Sequence, residues 1–138
     1  MRILHAAAEL FPWVKVGGLG DVMGALPEAQ RAIGLKARML LPAYPALLKA
    51  FPGAEPVGGL EDLLGSGSAR FLLARTPSGV PLYLLDAPSL FDRPGGPYEE
   101  TGDSCIRFGA LSFAAAWLAR HGDAHGWRPR ILQCHDWQ

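Results

Sequence analysis

The chain opens on an apolar run, Met1 to Ala8 (MRILHAAA), interrupted only by Arg2 and His5. A strand covered on both faces carries such a run, so Arg2–Ala8 reads as a buried strand. No period holds from Glu9 to Leu19, which reads as a loop. Val22, Leu26, Ala29 and Ile33 then recur every three to four residues. That spacing predicts a helix from Gly20 to Gly34 with this stripe as its buried face. Asp21 suits its first turn and Gly34 its C-terminal end, while Pro27 predicts a kink or a later start.

Lys36–Pro42 (KARMLLP) reads as a second strand. Ala43–Ser68 is rich in Pro and Gly and reads as irregular, with a short helical piece around Ala46–Phe51. Ala69–Arg75 and Pro81–Asp86 flank the turn signal Thr76-Pro77-Ser78-Gly79-Val80 and predict a hairpin. Asp86–Gly102 reads as loop. The clearest helix is Ser104–His121, with Ile106, Phe108, Ala110, Leu111, Ala114, Trp117 and Leu118 crowding one side. Arg130–Cys134 (RILQC) reads as a last buried strand, followed by His135-Asp136-Trp137-Gln138. Strands separated by helices predict an α/β class: a Rossmann-like, mostly parallel sheet covered by helices. Ligands bind such sheets beyond the C-terminal ends of the strands. The rule sets the loop containing Lys15 and the His135-Asp136-Trp137 segment at one edge of the sheet.

Composition narrows the classes. At 138 residues the chain predicts one domain, and 49% hydrophobic content supplies an ordinary core. A formal net charge of zero removes the electrostatic case for nucleic acid or an anionic membrane. No apolar run approaches the roughly 18 residues of a membrane helix, and the N-terminal run meets Glu9, Pro12 and Lys15 too soon for a signal peptide. A cytoplasmic protein is expected. Cys105 and Cys134 fit neither a disulfide framework nor a zinc site, and both are expected to pack as small apolar side chains.

The chemistry concentrates in Lys15-Val16-Gly17-Gly18-Leu19-Gly20-Asp21, where a strand hands over to a helix. Helix N-termini present unpaired N–H groups and partial positive charge, and glycine admits an anion close to the backbone. The segment matches neither the dinucleotide fingerprint nor a P-loop. A phosphate-binding turn with Lys15 as point charge and a tight connection with a solvated lysine both remain open on this spacing. His121-Gly122-Asp123-Ala124-His125 could suggest metal ligands, but Gly122 beside a helix end reads as a C-terminal turn, and no metal is expected.

The ordered set Glu9-Leu10-Phe11-Pro12, Lys15-Val16-Gly17-Gly18-Leu19-Gly20-Asp21-Val22, Gly24-Ala25-Leu26-Pro27, Leu40-Leu41-Pro42-Ala43-Tyr44-Pro45, Asp92-Arg93-Pro94-Gly95-Gly96-Pro97-Tyr98 and His135-Asp136-Trp137 resembles the N-terminus of bacterial glycogen synthases and plant starch synthases. The resemblance runs from Met1 to Gln138. It implies a two-domain GT-B glycosyltransferase that moves glucose from ADP-glucose to the non-reducing end of an α-1,4-glucan such as glycogen, with retention and without cofactor or metal. It also implies that residues 1–138 form an incomplete N-terminal Rossmann-like domain whose C-terminal GT-B partner is absent. By this resemblance Lys15, Gly17, Gly18, Asp21 and Asp136 contact ADP-glucose, with the two glycines bringing N–H groups towards the phosphate and sugar. Tyr98 and Trp137 lie near the glucan acceptor.

Each position keeps a plainer reading: Asp136 as a helix cap, His135 as a packed histidine, Tyr98 as a loop pin and Trp137 as a core residue of the missing remainder. Asp103-Ser104 stands where many members have Asp-Asn. The family's active-site histidine, the Arg/Lys pair at the leaving diphosphate and the glutamate beside glucose have no counterpart in these 138 residues. The expectation is therefore no catalytic residue in this chain and no glucosyl transfer by it alone. The alternatives are another GT-B transferase using a different nucleotide sugar, and a non-catalytic nucleotide-sugar or glucan-binding module.

Overall fold

A computed structural model describes residues 1–99 and 101–138. Its strands are β1 (Arg2–Ala6), β2 (Lys36–Pro42), β3 (Glu55–Leu60), β4 (Ala69–Arg75), β5 (Pro81–Asp86) and β6 (Ile131–Cys134). Its helices are α1 (Gly18–Ala32), α2 (Pro45–Ala50), α3 (Pro88–Phe91) and α4 (Ser104–His121). The strands form one sheet in the order β3-β4-β5-β2-β1-β6. β1 runs parallel to β2 and β6, and β2 parallel to β5. β4 pairs antiparallel with both β3 and β5, so the sheet has a parallel centre and one reversed strand near its edge.

The apolar runs become the centre of this sheet because helices cover both of its faces. Leu4, Leu40, Leu41, Leu82, Leu84 and Leu85 are all fully buried, and each such side chain contributes about 2 kcal/mol. From β1 the chain passes through α1 to β2 on one side, and through α4 it returns to place β6 on the other. β1 and β6 therefore flank the point where the strand order reverses, which is where open α/β sheets form ligand crevices.

The opposite end of the sheet is closed by a buried ion pair. Arg38 Nη1 lies 3.0 Å from Asp123 Oδ2, and the Tyr83 hydroxyl donates to the same oxygen at 2.6 Å. The other oxygen of Asp123 accepts the His125 and Trp127 amides. The His121–His125 segment is thus a helix-terminating turn, with Gly122 at φ 79° and Asp123 as its internal acceptor.

Several expectations are corrected. α1 begins at Gly18 and runs through Pro27, which is buried. Its covered side is Gly20, Met23 and Pro27, whereas Val22, Leu26, Ala29 and Ile33 are exposed, Ile33 by 77%. Gln30, beside that stripe on the helical wheel, bonds His5 of β1, so the side of α1 turned to the sheet is not the apolar stripe. Ile106 on α4 is likewise exposed.

β6 is not buried: Ile131, Gln133 and Cys134 are exposed, because among the described residues no strand pairs with its outer edge. Both cysteines are exposed rather than packed. The 43–68 stretch holds the expected short helix as α2 and, beyond the irregular reading, the strand β3. β3 (EPVGGL) is held by backbone pairing, and at Gly59 a Cβ would lie 2.9 Å from the Ala69 carbonyl oxygen. α3 interrupts the predicted 86–102 loop.

Candidate functional site

The site grows from the chain leaving β1. Residues 7–17 turn back on themselves through reciprocal hydrogen bonds between Leu10 and Val14, and then enter α1. At that entry Lys15 Nζ pairs with Asp21 at 2.7 Å, both side chains well exposed to solvent. The ammonium also stands 5.6 Å from the Phe11 ring centroid. Such an exposed pair is worth at most about 1 kcal/mol, so Lys15 can exchange Asp21 for another anion at small cost.

Gly17 and Gly18 follow. A Cβ added to either would meet no heavy atom within 4 Å, and neither has a positive φ. Packing and backbone geometry therefore do not require glycine here. Among the described residues the Gly18 and Leu19 N–H groups have no protein acceptor, as expected for the first turn of a helix. The Gly17 N–H departs from expectation: it donates to Glu9 Oε2 at 3.1 Å and is not free for a ligand.

Glu9 is the residue that sequence reasoning passed over as a site member. The residue is 3% exposed. Oε2 accepts the Val16 amide at 2.9 Å as well as that of Gly17, and Oε1 accepts the Tyr98 hydroxyl at 2.6 Å. Burial alone would raise its pKa, but the bonds from Tyr98, Val16, Gly17 and Gly20 outweigh it and hold the carboxyl below its ordinary range. Conversely, burial and the Glu9 charge push the Tyr98 phenol upward. The available signal was an acidic residue set between Ala8 and Leu10 in an apolar run.

Tyr98 joins the two halves of the site. Its ring lies 5.8 Å from that of Trp137 and 6.0 Å from that of Phe108 on α4. Trp137 itself is 66% exposed. Asp136 precedes it with φ 62°, a left-handed conformation, and its Oδ1 accepts the Trp137 amide. The Lys15 loop and the 135–137 segment thus meet through Glu9, Tyr98 and Trp137, at the sheet edge where the strand order reverses. Beside Lys15, Trp13, Tyr44, Arg93 and Gly96 help to line a cleft of about 420 Å³.

Beneath this edge His135 is a packed histidine. Its Nε2 lies 2.8 Å from His5 Nδ1, and His5 Nε2 lies 2.7 Å from Gln30 Oε1. One proton arrangement satisfies the row: His135 Nε2–H donates to His5, whose Nε2–H donates to Gln30. Burial lowers the pKa of both rings, aided at His135 by His5 and opposed at His5 by Gln30.

Residues 2–138 match the family model described as the starch synthase catalytic domain. The chain belongs to this family. It is 46% identical over its whole length to a glycogen synthase of Paramagnetospirillum magneticum and 48% identical to one of Dechloromonas aromatica. Among solved structures it resembles the catalytic domain of starch synthase IV from Arabidopsis thaliana bound to ADP and acarbose, with a TM-score of 0.72 and 28% identity. That match covers 98% of this chain and 28% of the plant chain. The chain spans about 29% of the length of the first bacterial relative. No helix among the described residues is long and apolar enough to cross a membrane.

Proposed function

We propose that this chain is the N-terminal, donor-side part of a cytoplasmic glycogen synthase, transferring glucose from ADP-glucose to the non-reducing end of an α-1,4-glucan with retention. The observation that carries this reading is the pair Gly17 and Gly18, glycines without a steric need for being glycine, beside Lys15 at the start of α1. Open glycines and free amides suit a diphosphate approaching the backbone. The whole-length likeness to glycogen synthases supports ADP-glucose as that diphosphate.

The chemistry follows from charge. As the glycosidic bond to the diphosphate breaks, negative charge grows on the leaving oxygen. Fixed donors aimed there lower the barrier because they need no reorganisation. Lys15 Nζ and the Gly18 and Leu19 amides supply donors from this side. Asp21 holds Lys15 in place and Asp136 orients the segment after β6, while Tyr98 and Trp137 offer ring faces to the sugars of the glucan. The remaining compensation for the diphosphate, and closure of the cleft, are assigned to protein outside these 138 residues, so the chain alone binds without turning over.

Calorimetric titration tests the reading. ADP-glucose binds the chain and Lys15→Ala weakens it at least tenfold, whereas no radiolabelled glucose passes to glycogen. Equal binding by Lys15→Ala, tighter binding of UDP-glucose, or transfer by the chain alone would each contradict it.

A further inference from the structure

We infer that Glu9 is a positioning residue: it decides which amides of the glycine turn face the ligand, and it ties that turn to Tyr98. The inference rests on the donor-site reading above for its functional meaning, but its structural content stands alone. Five consecutive N–H groups, from Val16 to Gly20, converge on the entry to α1. Glu9 Oε2 takes those of Val16 and Gly17, and the Gly20 amide faces the same carboxylate. The Gly18 and Leu19 amides, among the described residues, are left without a protein acceptor. Gly17, the N-terminal cap position of α1, has no side chain to bond the helix start, and Glu9 instead fixes the two residues that lead into it, Val16 and Gly17.

The partners of this carboxylate exclude a plain ion-pair role. Lys15, the nearest cation in sequence, pairs with Asp21 instead. A buried carboxylate with no cation bonded to it survives only through hydrogen bonds, and here all of them come from the turn and from Tyr98. Space is also matched: a Cβ on Gly20 would lie 3.4 Å from Glu9 Oε2 and 3.2 Å from Lys15 Cγ, so glycine lets the carboxylate and the lysine stem close over the helix start. The second oxygen is bound 2.6 Å from the Tyr98 hydroxyl, whose ring rests near Trp137. The turn proposed for the donor and the aromatic pair proposed for the acceptor are therefore one mechanical unit joined at a single carboxylate.

Amide hydrogen exchange measured by NMR tests the link. Tyr98→Phe deletes one hydroxyl that touches neither Val16 nor Gly17, yet it accelerates exchange at both amides about tenfold, the scale of a hydrogen bond to a charged group. Glu9→Leu, equal in bulk but without an acceptor, accelerates them at least as much and weakens ADP-glucose at least tenfold. Glu9→Gln retains a carbonyl oxygen that accepts from the turn and an amide N–H₂ that donates to the Tyr98 oxygen, and brings exchange and affinity back to within about threefold of the parent. Unaltered Val16 and Gly17 exchange in Tyr98→Phe, with the protection of β1 and β2 amides intact, overturns the inference. So does equal ADP-glucose affinity of Glu9→Leu and the parent. If the parent binds no ADP-glucose, the donor-site reading fails, while the exchange data still decide the positioning role.

Discussion

Gly18→Ala separates what the fold needs from what the ligand needs. Gly18 is the first residue of α1, its φ is not positive, and an added Cβ would meet no heavy atom within 4 Å. The substitution therefore introduces no clash and no backbone strain. It removes conformational freedom from the unfolded chain, which stabilises by about 0.4–1 kcal/mol. For a domain of this size that corresponds to a rise in Tm of roughly 1–4 °C. In the proposed function the diphosphate approaches the free Gly18 and Leu19 amides, and the methyl adds bulk at that turn. Loss of close approach there costs at least one charge-assisted hydrogen bond, on the order of 1.5–3 kcal/mol, or tenfold or more in affinity. Thermal denaturation followed by circular dichroism and titration with ADP-glucose measure the two effects. A raised Tm with undiminished affinity would refute the ligand argument, and a Tm lowered by several degrees would refute the claim of open space.

Two further outcomes follow from the buried polar groups. Since burial lowers the pKa of His5 and His135 in the fold, the unfolded chain binds more protons between the two sets of pKa values, and stability rises with pH. Their contribution is complete above the unfolded value of about 6.5 and is lost as pH falls below it. Urea unfolding between pH 7.5 and 5 should show this slope, and His135→Gln should flatten it; an unchanged slope contradicts the assignment. Asp123→Ala strands Arg38, Tyr83 and two amides at once. It should destabilise by about 3–5 kcal/mol in the same assay, and a loss under 1 kcal/mol would contradict the buried-pair account.

Legibility from sequence followed the physics of each element. β2, β4, β5 and α4 have the bounds read from their patterns, because continuous apolar runs and a long uninterrupted helix need little context. β3 escaped because Pro56, Gly58 and Gly59 carry no strand preference; its pairing to β4 is a backbone property. The α1 stripe misled because periodicity reports apolarity, not what stands opposite; the covered positions are Met23, Pro27 and Gly20, the last of them against Lys15 and Glu9. In the site, Lys15, Gly17, Gly18 and Asp21 were legible as a cluster, and the fold rule correctly set the 135–137 segment beside them. Glu9 was not legible as their organiser. Its role depends on Tyr98, 89 positions away, and no local spacing encodes that contact.

In the proposed function the turn from Lys15 to Asp21 receives the diphosphate of a nucleotide sugar. Adding ADP-glucose to the ¹⁵N-labelled chain and following each amide resonance tests it most directly. Saturable shifts are expected, centred on Gly18 and Leu19, with smaller ones at Asp136 and Trp137. Saturable shifts confined to another surface, or none at millimolar ADP-glucose, would contradict it.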